Sequence, residues 1–199
     1  MRIVKKILLV LLVLCVVITI AGLLMPAKVH VERSLVMKAS PEAVYSQVND
    51  LKTWNNWATW NKKDPNWKLT YGDVTVGEGA NYAWESTKEE VGNGSMKITQ
   101  TIPGEIVHID MDFREHGTAG ADFKFEKADA GSKVTWSMDM DMGSNPIKRL
   151  MGPIMDKMVG KEFEKGLQNL DSVTANIPAP SAEMTVAPPD STIADTTKK

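Results

Sequence analysis

Residues Pro153 to Val173 read PIMDKMVGKEFEKGLQNLDSV. The apolar members are Ile154, Met155, Met158, Val159, Phe163, Leu167, Leu170 and Val173. They recur mostly at steps of three and four, the spacing that lines one face of a helix. Asp156, Lys157, Lys161, Glu162, Glu164, Lys165 and Asn169 fall mainly on the other face. Pro153 suits a first turn, where the N–H it lacks would have no intrahelical partner. Between residue 80 and this stretch the pattern changes to alternation in twos, which is strand. A long amphipathic helix after a run of strands buries its stripe on the sheet, and the sheet needs such a cover.

Lys133 to Met142 is the clearest strand, with Val134, Trp136, Met138, Met140 and Met142 against Thr135, Ser137, Asp139 and Asp141. Upstream, Glu105 to Arg114 sets Val107, Ile109, Met111 and Phe113 against His108, Asp110, Asp112 and Arg114. Ala121 to Lys127 carries Phe123 and Phe125, Ser95 to Ile102 carries Met96 and Ile98, and Asn81 to Thr87 carries Tyr82 and Trp84. Lys68 to Tyr71 is a shorter strand. Gly92-Asn93-Gly94, Pro103-Gly104 and Ala130-Gly131 supply the turns. Such spacing predicts a meandering antiparallel sheet with one wet side. Lys28 to Lys38 adds a strand whose apolar side, Val29, Val31, Leu35 and Met37, is interrupted by Arg33. Ser40 and Pro41 form a cap and first position for a helix to about Asn49. Trp54, Trp57 and Trp60, three apart, fit a short helix that seals one end of a core. Gly143 to Gly152 has room for a helical turn before the long helix.

The chain has 199 residues, 43% hydrophobic and 24% charged, with net charge −2. That is one domain of ordinary size with appendages. Ile7 to Met25 carries no charge and is long enough to cross a bilayer core. Arg2, Lys5 and Lys6 precede it, so the positive-inside rule places the N-terminus in the cytoplasm and the body outside it. A cleaved signal peptide is the rival reading, for which Leu23-Leu24-Met25-Pro26-Ala27 is a poor cleavage site. Cys15, the single cysteine, is preceded by Leu14, unlike a lipoprotein cysteine, and precludes an intramolecular disulfide. The body is mildly acidic, which gives nucleic acid no electrostatic footing. Residues 1–27 are thus expected as a transmembrane anchor, 28–175 as one domain, and 176–199, rich in Pro, Ala, Ser and Thr, as a disordered tail.

The element order and several local motifs resemble the helix-grip fold of the START/Bet v1-like, or SRPBCC, superfamily. Within it, the polyketide cyclase/dehydrase-like branch, found in many bacterial membrane-anchored proteins, is the most similar. The resemblance is carried by Val31-Glu32-Arg33-Ser34, Ala39-Ser40-Pro41-Glu42-Ala43-Val44, Asn49-Asp50 with the three tryptophans, and Lys133-Val134-Thr135-Trp136. Asp156-Lys157-Met158 and Phe163-Glu164-Lys165-Gly166-Leu167 complete it. It implies an α+β domain, an antiparallel sheet of about seven strands wrapped on the C-terminal helix, with a cavity between them in many members. It leaves function open, since this fold serves many.

An interior site is therefore expected among Tyr82, Trp84, Ile98, Gln100, Ile109, Met111, Phe113, Phe123, Phe125, Trp136, Met138 and Met140 of the sheet, with Met155, Met158, Val159 and Phe163 of the helix. Such a lining suits a lipid or other hydrophobic small molecule, and methionine adapts to varied shapes. Plain core packing explains the same residues. Gln100, Arg33 and the Tyr82 hydroxyl are the polar candidates on that face, and none pairs as base with nucleophile by spacing. Arg33 is expected to meet a structural carboxylate or the rim. His108, Asp110 and Asp112, with Asp139 and Asp141, lie on the wet face, where a solvated acidic surface accounts for them better than a metal. No catalytic residue, metal or cofactor is assigned. Three functions compete: a membrane-anchored binding module, a cyclase- or dehydrase-like enzyme, and a protein-interaction domain with a filled core.

Overall fold

A computed structural model of the protein describes residues 2–175 and 177. The element order is helix α1 (Arg2–Leu24), strand β1 (Lys28–Met37), helices α2 (Pro41–Asn49) and α3 (Trp54–Trp57), and strands β2 (Lys68–Tyr71), β3 (Asn81–Glu85) and β4 (Gly94–Ile102). Strands β5 (Ile106–Asp112), β6 (Thr118–Ala128) and β7 (Gly131–Asp141) follow, then helices α4 (Pro146–Leu150) and α5 (Gly152–Thr174). The seven strands form one sheet in the order β1-β7-β6-β5-β4-β3-β2, every pair antiparallel. This is an α+β helix-grip architecture, with α5 laid against the inner face over β1 and against α2 and α3. The tail expected over 176–199 lies, Ile177 apart, outside the described residues.

Local chemistry explains the element ends. Ser40 Oγ accepts from the Ala43 N–H (3.3 Å), and Pro41 opens α2, whose Val44 and Val48 are fully buried. β5 stops at Asp112, whose Oδ1 accepts from the Arg114 N–H (2.7 Å), while Arg114 turns the chain at φ 58°. Phe113 therefore falls outside the strand expected to carry it. β3 stops at Glu85 rather than Thr87, with the Ser86 N–H donating to Asn93 Oδ1 (2.9 Å). β6 starts three residues earlier than expected, at Thr118. Thr118, Ala119 and Gly120 show no apolar alternation, yet they pair with Asp112, Met111 and Asp110.

The core is aromatic around Trp136. Its ring stacks on Phe163 of α5 (centroids 3.9 Å, 10° between planes) and on Phe123 (4.6 Å, 27°). The rings of Trp57 and Trp60 meet it edge-on at 5.9 Å. Trp54 and Trp57 are buried, and their indole N–H groups donate to the carbonyls of Val48 (2.8 Å) and Gln47 (3.2 Å). The tryptophan row thus seals a core. Gly166 faces Trp136 so closely that an added Cβ would lie 2.8 Å from Cζ3, which lets the helix reach the stack.

α1 is 23 residues of apolar helix, about 34 Å at 1.5 Å per residue. It is long and apolar enough to cross a bilayer core of about 30 Å; a signal sequence meets the same criterion.

Candidate functional site

The sheet's register sorts the expected residues. One cross-sheet row of the inner face runs Tyr71, Tyr82, Met96, Met111, Ala119, Met140 and Val29. Tyr82, Met96 and Ala119 are buried, but Tyr71, Met111, Met140 and Val29 are only half-buried. α5 begins over the β1 end of this row, where a Cβ on Gly152 would meet Val29 Cγ2 at 2.9 Å. Met155 and Val159, from the first turns of α5, are half-buried too. The rest of the expected interior set, Trp84, Ile98, Ile109, Phe123, Phe125, Trp136, Met138 and Phe163, is buried. The interior therefore has a close-packed aromatic part and a less closed part rich in methionine. Phe113 is half-buried at the edge, its ring 5.9 Å from Trp84.

Two expected residues do not face inward. Gln100 is exposed, because β4 has a bulge between Ile98 and Gln100. Ile98 still pairs with the inward Ile109, but Gln100 pairs with the outward His108. One extra residue in a period of two sends every later side chain to the opposite face. Met158 is 61% exposed and Ile154 46%. The inner face of α5 is built instead from Gly152, Gly160, Phe163, Gly166, Leu167 and Leu170. Three glycines carry no apolar signal, so a hydrophobic stripe drawn through Ile154 and Met158 is rotated from the contact face.

Arg33 crosses the helix at one of those glycines. Its Nε donates to Glu164 (2.8 Å) and its Nη1 to Asp156 Oδ1 (3.2 Å) and the Glu32 carbonyl (2.7 Å). Its Nη2 donates to the Asp156 carbonyl (3.3 Å). Positions 156, 160 and 164 fall one turn apart, and a side chain at Gly160 would occupy the guanidinium's place. Arg33 therefore meets structural carboxylates. The Tyr82 hydroxyl is buried, and burial pushes its pKa further above an ordinary value that already keeps a phenol protonated at neutral pH.

Two open depressions, of about 880 and 830 Å³, mark the surface, and no residue of α5 lines either. The first takes Tyr82, Met111 and Met140 of the expected residues, and the second Trp84 and Phe113. The first is completed by two outward rows, Lys97, Asp110, Gly120 and Asp139 on one side and Ser95, Asp112, Thr118, Asp141 and Lys28 on the other. It is thus an open trough along the outward rows, with the row between also lining it, and its lining is more apolar than polar. β6 does separate Asp110 from Asp139, but only with Gly120, which has no side chain. His108 Nδ1 sits 2.6 Å from Asp122 Oδ1, and its Nε2 lies 3.4 Å from Asp110.

A family model described as polyketide cyclase / dehydrase and lipid transport matches residues 28–174. Solved structures with the same fold are distant in sequence. The di-domain ARO/CYC StfQ from the steffimycin biosynthetic pathway is 10% identical, with a TM-score of 0.58 over 75% of this chain and 51% of that one. The Aha1 dimer from Colwellia psychrerythraea is 15% identical, with a TM-score of 0.53 over 73% of this chain and 96% of that one. Ara h 8.0201 is 14% identical, with a TM-score of 0.55 over 74% and 98%. At these identities the likeness is one of fold. No curated protein matches the chain in sequence.

Proposed function

We propose a function from one premise, that this chain belongs to the polyketide cyclase / dehydrase and lipid transport family: it is a membrane-tethered module that holds a lipid or other hydrophobic small molecule between the sheet and α5. The observation that carries the reading is the division of the interior. Beside the aromatic stack, Tyr71, Met111, Met140 and Val159 pack against the buried core yet stay half-buried, and Met155 is half-buried on α5. Unbranched methionines give way to a guest at low cost in strain, whereas stacked rings do not. On this reading the seat is the methionine part, toward the β1 side of the sheet where α5 begins, and the aromatic part serves as its wall.

Binding is favoured over catalysis. Of the polar groups expected inside, Gln100 points out and Arg33 is tied to two carboxylates, which leaves Tyr82, a buried neutral phenol without an acid–base partner among the described hydrogen bonds. None stands as a base beside a nucleophile. α1 anchors the module with its N-terminus cytoplasmic, as Arg2, Lys5 and Lys6 direct. The open trough along the outward rows, apolar in most of its lining and edged by charged side chains, supports a second reading, a docking surface for a protein partner, compatible with the first.

Annular lipid accompanies any membrane-inserted helix, so the test must locate the lipid. The full chain is reconstituted with a lipid that carries a photoactivatable diazirine on its acyl chain, and adducts are mapped by peptide mass spectrometry. Adducts on β5, β7 and the peptide 152–160, besides those on α1, are expected. Adducts confined to α1 would overturn the ligand reading.

A further inference from the structure

Ile147, Met151, Ile154 and Met158 are 66%, 44%, 46% and 61% exposed. They follow one another at steps of four, three and four, through α4 and the first two turns of α5. That is the spacing of a helical stripe, here turned to solvent. The stripe's place in the fold is fixed by α1. Gly22 of α1 packs on Pro146 so closely that a Cβ there would overlap it, and Arg149 Nη1 donates to the Leu23 carbonyl (3.4 Å). The short helix is therefore stapled to the last turn of α1, at the depth where a membrane-crossing helix leaves the hydrocarbon.

The unpaired charge on α4 and the first half of α5 is basic. The acidic side chains nearby are engaged: Asp156 and Glu164 hold Arg33, and Glu162 holds Lys63 (2.8 Å). Lys148, Lys157, Lys161 and Lys165 are exposed and make no ion pair among the described residues. An apolar helical stripe rimmed by lysines is the pattern that lies in a bilayer interface and favours anionic headgroups.

We infer that α4 and the first two turns of α5 lie on the bilayer surface beside α1, with Ile147, Met151, Ile154 and Met158 in the interface and the lysines on anionic lipid. The inference rests on α1 being membrane-inserted, as proposed above. It has a consequence for ligand supply. Ile154 and Met158 face out from the same two turns whose Val159 packs on the core, so the bilayer adjoins the seat across one helix.

The test uses the full chain in vesicles of 30% anionic and 70% zwitterionic phospholipid, with doxyl-labelled lipid as quencher. A fluorophore on the native Cys15 reports on α1. In a Cys15→Ala background, single substitutions Ile154→Cys and Met158→Cys report on the stripe. Val36→Cys serves as the control, since Val36 is an exposed strand residue seven positions beyond Val29, about 23 Å along β1. The expected result is strong quenching at Cys15, at least twofold quenching at 154 and 158, and none at 36. Quenching at Cys15 with 154 and 158 behaving like 36 would overturn the inference and leave the anchor standing. Labels at 154 and 158 shielded from water yet unquenched would also overturn it, in favour of a protein occupant such as a second copy. No quenching at Cys15 would overturn both readings together.

Discussion

Helix propensity and structure give opposite signs for Gly160→Ala. Mid-helix, alanine is better than glycine by about 1 kcal/mol, so propensity alone predicts a gain. In the fold, the new methyl group takes the place of the Arg33 guanidinium. Displacing Arg33 loosens its bonds to Glu164, Asp156 and two backbone carbonyls. The two carboxylates are about half exposed, at 54% and 47%, so each ion pair is discounted to about 0.5 kcal/mol. Each carbonyl bond contributes about 1 kcal/mol. Some 2–3 kcal/mol is at stake against a gain of about 1, so Gly160→Ala should destabilise by about 1–2 kcal/mol. With Arg33→Ala already in place the obstacle is gone, and the same change should stabilise by about 1 kcal/mol. Urea unfolding of the full chain in mild detergent, followed by tryptophan fluorescence, reads this directly, because every tryptophan lies between residues 54 and 136. A gain of equal size in both backgrounds would refute the claim that Gly160 is kept clear for Arg33.

Trp136→Ala should cost about 3–5 kcal/mol, since it removes the centre of the aromatic stack; an unshifted thermal melt would contradict that placement. Met140→Trp should fill the methionine part of the interior, so adducts of the photoactivatable lipid on β5 and 152–160 should fall several-fold while those on α1 persist. The hydrogen bond with Asp139 (2.9 Å), aided by Glu32, holds the His30 pKa above its ordinary 6.5. Its stabilising contribution is therefore full below about pH 6.5 and is lost as pH rises through the raised folded value. Asp139→Asn should lower the His30 midpoint in an NMR titration, and an unchanged midpoint would remove Asp139 as the cause.

The order and faces of the strands were legible because alternation is a local signal and a wet outer face keeps it clean: Val134, Trp136 and Met138 read as inward and are buried. Signals failed where a single residue shifts a period or where nothing apolar marks a contact. The bulge after Ile98 turned Gln100 outward, and no residue type at Thr99 announces it. The start of β6 is written in Thr, Ala and Gly, whose pairing comes from the neighbouring strand. Arg33 on an apolar face was an open sign of a partner, but its partners lie more than 120 residues away, so sequence could name only their charge.

The long helix is the deeper case. Its stripe of Ile154, Met155, Met158 and Val159 reads as one face in the sequence, because each residue type is equally apolar. The structure splits it, packing Val159 on the core, leaving Met155 half-buried and turning Ile154 and Met158 outward. The contact face is narrow because glycines at 152, 160 and 166 draw the helix close to Val29, Arg33 and Trp136. A helix so seated has more apolar residues in its first turns than the sheet can cover. Farther along, the surplus disappears: Leu167 and Leu170 are buried, and the exposed positions of α5 beyond Phe163 are Glu164, Lys165, Gln168 and Ser172. Surplus apolar surface confined to the turns beside α1 is the disposition that the proposed bilayer interface requires.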